Sequence, residues 1–179
     1  NDGSVSMENL KNCINNDLAN NYGNLCQRVF AFIKKNCSNK IPKAKGLADS
    51  DKKLLNQLKD NIPTLVNLMN KQELNEFIKT VVGYSFASNK YFNDSEPWSV
   101  KAKDPERMKA IIFTICEQIK NISILLNSII PVSTNKVLES MNVKKEMRTI
   151  TQINSLDCFD HDKELKELDI LFKKVENDN

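Results

Sequence analysis

Apolar residues in this chain recur every three or four positions rather than every second one, which is the period of helices that bury a single face. Strand-like runs of Val, Ile and Thr are lacking, so the pattern predicts an all-α fold. Ile14, Leu18, Leu25, Val29 and Phe32 form the core stripe of a first helix over about residues 7–35. Gly23 in its middle costs about 1 kcal/mol relative to Ala, which points to a close packing contact there. A second helix is expected from the capping run Asp49-Ser50-Asp51 to about Asn70, kinked or broken at Pro63. A third, over about residues 72–92, carries Leu74, Phe77, Ile78, Val81, Val82 and Phe86. Asp104 can cap a fourth with Pro105 at its first position. Its stripe of Met108, Ile111, Ile112, Ile115, Ile119, Ile122, Leu126 and Ile129 makes it the most buried. A short helix from Pro131 through Met141 completes a bundle of about five helices.

Between these elements, residues 35–48 read as a loop containing Pro42 and Gly46, and the polar stretch 144–162 as a long connection. The last segment, 163–175, is expected to be helical or draped over the surface. This divides the chain into a helical bundle over 1–143 and a C-terminal connection and closing segment over 144–179 that packs back on it. A chain of 179 residues fits one domain, able to bury roughly 70% of its unfolded surface. The most hydrophobic stretch, 108–132, is interrupted by Glu117, Gln118, Lys120, Asn121 and Asn127, which excludes a membrane span. The N-terminus lacks the basic and apolar regions of a signal peptide and opens on Asn, so the chain reads as a piece of a longer protein.

Charge and cysteine usage narrow the chemistry. Lys and Arg total 26 against 23 Asp and Glu, a formal charge of +3. That is too small to mark a nucleic-acid binder, so any RNA contact must be local. The five cysteines, at 13, 26, 37, 116 and 158, are odd in number and never spaced C-x-x-C. They favour neither a disulfide framework nor a zinc finger, and fit a reducing, cytoplasmic setting as inert apolar fillers. Asp157, Cys158, Asp160, His161 and Asp162 collect metal-binding residue types without a structural zinc spacing, so no metal site is expected and His161 reads as solvated. With only four glycines there is no phosphate cradle. No second His activates a Cys, and no carboxylate pair sits in a dry setting, so no catalytic residue is expected.

One constellation stands out. Pro97 removes a backbone donor and biases Glu96 out of the helical region, so the third helix should end before it and leave Trp98, the only tryptophan, in a loop. An exposed indole there is a stacking platform. Asn24 and Arg28 lie four apart, on one face of the first helix, with Asp17 and Asn21 on the same stripe. That stripe is roughly 90° around the wheel from the core, on the rim of the bundle. Unstacked RNA bases are read by aromatic faces and by side chains that reach their Watson–Crick edges. Arg28 can only donate and Asn24 can donate and accept, so with Trp98 they form an RNA-reading set. The bland readings are that a lone Trp is a core residue, and that an Asn–Arg pair four apart is a solvated face.

The run Asn16-Asp17-Leu18-Ala19-Asn20-Asn21-Tyr22-Gly23-Asn24-Leu25-Cys26-Gln27-Arg28, then Asn89-x-Tyr91 leading to Pro97-Trp98, then Asp104-Pro105-Glu106-Arg107, resembles the anticodon-binding domain of methionyl-tRNA synthetases. Asp2-Gly3-Ser4-Val5-Ser6 resembles the entry to that domain, Pro131-Val132-Ser133-Thr134-Asn135-Lys136-Val137 its last bundle helix, and Ile170-Leu171-Phe172 the start of its closing segment. The sequence departs at Asn93, where the family usually has an acidic residue, at Asn142, where a Gly often ends the helix, and at Lys173-Lys174, where Pro-Arg is usual. None of these is Asn24, Arg28 or Trp98, so the departures are expected to bear on capping and tail docking rather than on recognition. The resemblance implies a class I synthetase anticodon-binding bundle that recognises the CAU anticodon of methionine tRNA. In that role Trp98 stacks on the first anticodon base and Asn24 and Arg28 contact anticodon bases, with Asp17, Asn21 and Pro97 in support. It further implies an upstream catalytic domain that uses ATP and Mg, absent here, so that this chain alone would hold no cofactor and ligate nothing. Two rivals stay open: the anticodon domain of another class I synthetase, which the Pro-Trp run disfavours, and a protein-interaction bundle without an RNA role. Convergence of Trp98, Asn24 and Arg28 on one exposed patch discriminates against the last.

Overall fold

The computed structural model describes residues 14–168, without the side chains of 14–17 and 19. The expected start of the first helix, the Asp2–Ser6 and Ile170–Phe172 resemblances, Cys13 and Lys173-Lys174 lie outside the described residues. The chain forms a bundle of five helical segments, two of them modified, and the described residues contain no strand. The first segment is wound in two registers, a π-helical stretch Ile14–Gly23 followed by α1 Asn24–Asn36. Gly23 stands at the junction with ordinary right-handed dihedrals, so its backbone does not require glycine. The second segment breaks at Asn61 into α2 Asp49–Asp60 and α3 Ile62–Asn70, with Pro63 in the first turn of the new helix, where a missing N–H costs nothing. The third is α4 Leu74–Ser95, the fourth α6 Pro105–Leu126 and the fifth α7 Pro131–Ser140, with a single turn, α5 Pro97–Val100, between α4 and α6. No helix among the described residues is long and apolar enough to cross a membrane.

α6 is the axis around which α1, α2, α4, α5 and α7 pack. Asp104 caps it, accepting from the Arg107 amide at 3.0 Å, and its apolar stripe from Met108 to Leu126 is buried, with Ile129 partly so. Its polar face is buried too, because Glu117, Gln118, Lys120 and Asn121 are all covered. The cover is the connection after α7. Lys120 Nζ donates to Glu117 at 2.6 Å and to the Gln152 carbonyl at 2.7 Å, and Asn121 Nδ2 donates to Asn154 at 2.8 Å. Burial pushes the Glu117 carboxyl upward, and Lys120 opposes it. Ile153, Phe159 and Leu165 carry the apolar core out to this segment. His161 is not solvated: its Nδ1 lies 2.8 Å from the Ile41 carbonyl and its ring 6.0 Å from Phe113.

The stretch beyond residue 162 runs extended as far as it is described. Leu165 N donates to Asn39 O at 2.7 Å and Lys166 N to Ser140 O at 2.9 Å. α7 ends in a Schellman turn, with Val143 N on Leu138 O and Asn142 N on Glu139 O, both 3.0 Å. Asn142 takes the left-handed conformation there (φ 58°), one that Asn tolerates better than most residues. Its amide also donates to Glu164 O at 2.9 Å, so the residue in the usual Gly position both ends the helix and holds the closing segment.

Two further expectations are corrected. Asp49 and Ser50 do not cap α2; Ala48 is the cap residue, and Asp51 reaches back to accept from its amide at 2.8 Å. Phe32 and Phe86 leave their stripes: Phe32 is partly buried while Phe30 and Ile33 fill the core, and Phe86 is 58% exposed.

Candidate nucleic-acid interface

The site is built where α4 ends against α1. α4 stops at Ser95, and Glu96 turns the chain with a left-handed backbone (φ 45°, ψ 58°) rather than the extended one expected before proline. Pro97, buried, then starts α5, so Trp98 sits in a single helical turn and not in a loop. Its indole is 42% exposed and packs edge-on against Phe92, centroids 5.5 Å apart at 74°. Phe92 is itself 3% exposed, and Phe32 meets it edge-on at 6.1 Å.

Arg28 arrives at the same ring from α1. Its guanidinium carbon lies 5.0 Å from the Phe92 centroid, within the reach of a cation–π contact. Nη1 donates to Asn89 Oδ1 at 3.0 Å and Nη2 to Asn93 Oδ1 at 2.6 Å. Asn89 is braced in turn, its Nδ2 donating to Asn21 O at 3.2 Å and to Ser85 O at 3.1 Å. The guanidinium is therefore fixed in plane by two amides, neither of which balances its charge. Two of its five donors are engaged among the described residues, and it stays exposed. Asn24 is exposed one turn earlier on the same helix, about 6 Å along the axis, with Nδ2 bonded to Asn20 O at 2.6 Å. Lys101 Nζ, on Asn36 Oδ1 at 2.8 Å, fastens the end of α1 to the end of α5.

Behind this surface a buried charge locks the helices. Asp51 accepts from Arg107 Nη1 and Nη2 at 2.6 and 2.8 Å and from the Tyr91 hydroxyl, tying α2 and α6 to the residue that precedes Phe92. Burial pushes the Asp51 carboxyl up, but the Arg107, Tyr91 and Ala48 hydrogen bonds outweigh it and hold it below the usual carboxylate range. Burial and the neighbouring Asp51 both push Tyr91 up. Burial raises the thiols of Cys26 and Cys116, and that of Cys37 to about 11.

Arg28 and Trp98 thus converge on one exposed patch through Phe92, with Asn24 one turn away on the face that carries Arg28. Asn21 contributes its backbone carbonyl, through Asn89. The side chain of Asp17 is outside those described. One expectation fails: Asn93, a departure expected to spare the recognition site, bonds Arg28 directly. Phe92, Asn89 and Asn93 are the residues that periodicity passed over. The i,i+4 pair Asn89 and Asn93, ahead of Pro-Trp, was the available signal.

Compared with known proteins, residues 41–179 match the family model described as the anticodon binding domain of methionyl tRNA ligase. A methionine–tRNA ligase of Rickettsia felis is 32% identical over 180 residues, covering 99% of this chain and 35% of that protein. One of Brucella suis is 32% identical over 152 residues, covering 85% and 30%. In fold, the chain is similar to the apo methionyl-tRNA synthetase of Mycobacterium tuberculosis, with a TM-score of 0.82 at 23% identity over 95% of this chain and 35% of that one. The chain spans about a third of the length of these relatives.

Proposed function

The chain belongs to the family of anticodon-binding domains of methionyl tRNA ligase, and from that premise we propose that it reads the CAU anticodon of methionine tRNA for a methionine–tRNA ligase. Trp98 offers its exposed face to the first anticodon base, and Arg28 and Asn24 reach base edges, Arg28 donating and Asn24 doing both. Pro97, Asn21 and Asp17 support them. The bundle of residues 1–143 does the reading and 144–179 closes it. ATP and Mg belong to an upstream catalytic domain of the same protein, which acts in the cytoplasm; this chain ligates nothing by itself.

The observation that carries the reading is the shared seat of Arg28 and Trp98 on Phe92. A scaffold has no reason to fix an exposed guanidinium beside a half-exposed indole. Anticodon stem-loops that differ only in the three anticodon bases test it. Trp98→Ala is expected to cost about 1–3 kcal/mol of binding, and Arg28→Gln a comparable ~1–3 kcal/mol together with a narrower preference for CAU. An unchanged CAU preference in both variants, with unchanged melting temperatures, overturns the assignment.

A further inference from the structure

We propose that Phe86 is a second stacking platform, which takes a base of the anticodon loop other than the one on Trp98. This rests on the RNA-reading role assigned to Arg28 and Trp98. Phe86 and Trp98 are the aromatic side chains among the exposed large hydrophobics of the described residues, 58% and 42% exposed, and they lie on either side of the Arg28 clamp along the chain. The helical repeat sets Phe86 and Asn93, seven residues apart, within about 20° of each other around α4 and about 10 Å apart along it. Asn89, which holds Arg28 and the Asn21 carbonyl, falls between them. The order along the helix is an aromatic face, two amides clamping a cation, then the turn into the second aromatic.

What surrounds Phe86 fits a planar ligand. Gly83 lies one turn before Phe86 on α4. It is exposed and a Cβ there would meet no atom within 4 Å, so the helix surface one turn from Phe86 is open. Lys79 shares the exposed stripe and can meet a phosphate, while Lys90, on the other side along the axis, is paired with Asp94 at 2.6 Å. A single exposed apolar residue is ordinary on any surface. An exposed phenyl ring on one stripe with Lys79 and in line with a clamped guanidinium is what a single strand needs at its next base, because every base has a face to stack.

The test uses the intact ligase that carries this domain and methionine-tRNA anticodon stem-loops with 2-aminopurine placed at each loop position in turn. Phe86→Ala is expected to weaken binding about 5- to 20-fold, the lower part of the range for one base on one aromatic. Phe86→Tyr should bind like the parent and Phe86→Leu like the alanine variant. Quenching of 2-aminopurine should be relieved by Phe86→Ala at a loop position different from the one relieved by Trp98→Ala, with the melting temperature unchanged. If Phe86→Ala binds like the parent while Trp98→Ala is weakened, the Phe86 proposal is overturned and the reading of the main site stands. If both bind like the parent, the reading of the main site fails and this proposal with it. Equal binding by the Leu and parent proteins, with both tighter than Ala, also overturns it, since apolar bulk and not an aromatic face would be at work.

Discussion

Replacing Asp51 by Asn keeps the shape of the side chain and removes the charge at the centre of the α2–α4–α6 lock. Asp51 is fully buried and takes two donors from Arg107, one from Tyr91 and one from the Ala48 amide. An amide in its place offers one acceptor and turns its NH2 toward the guanidinium, donor against donor. Removing one partner of a buried ion pair costs about 3–5 kcal/mol. The Arg107 side chain is 27% exposed and regains some water, so we expect about 2–4 kcal/mol. For a chain of this length that lowers the melting temperature by about 5–15 °C. The pH dependence identifies the cause. The folded Asp51 carboxyl is held below its unfolded value of about 3.9, so its contribution is complete above about pH 5 and fades as the pH falls through 4 toward the folded value. The gap between parent and Asp51→Asn should therefore be constant from about pH 5 to 8 and close below about pH 4. Thermal unfolding followed by circular dichroism across that range measures it. A gap that stays open at low pH, or a loss under about 1 kcal/mol, would show that the carboxylate charge does not hold these helices.

Three further outcomes follow from the geometry. Asn93→Asp puts a carboxylate 2.6 Å from Arg28 Nη2. It should stabilise the free protein by no more than about 1 kcal/mol, as an exposed pair. Since an acidic residue is usual at this position in the family, the CAU preference should survive the change, while the added negative charge flattens the salt dependence of affinity; a lost CAU preference contradicts this. Lys120→Met leaves Glu117 buried without its cation and should cost about 3–5 kcal/mol, with part regained by Lys120→Met/Glu117→Leu; urea titrations in which the double variant is no better than the single one refute the pairing. Glu96→Gly relieves a non-glycine residue at φ 45° and should gain about 0.5–1 kcal/mol, read as a higher melting temperature; a lower one means that the Glu96 side chain contributes more than its backbone costs.

The helices were legible because each buries a stripe that repeats at its own period, and Asp104-Pro105 and Pro63 announce their starts. The burial of Glu117, Gln118, Lys120 and Asn121 was not legible. A helical wheel sends such residues to solvent, and what covers them is an irregular segment with no period of its own. The π-helical start was hidden for a related reason, since a change from i→i+5 to i→i+4 bonding leaves no mark in composition.

The site divides along the same line. Trp98, Asn24 and Arg28, the proposed reading residues, are singled out chiefly by the family resemblance, beside the place of Trp98 after Pro97 and the helical spacing of the other two. The groups that aim them look like everything else: Phe92 reads as one more apolar position, and Asn93 as a surface amide near a helix end. Their roles come from pairings with Arg28 across more than sixty residues, Asn89 and Asn93 on its guanidinium and Phe92 under it, and from the contact of Phe92 with Trp98 six residues on. A change at a supporting position can therefore alter recognition without touching a reading residue. Asn93 is such a position: its amide orients Arg28 without a counter-charge, and the acidic residue usual there in the family would orient the same guanidinium through an ion pair.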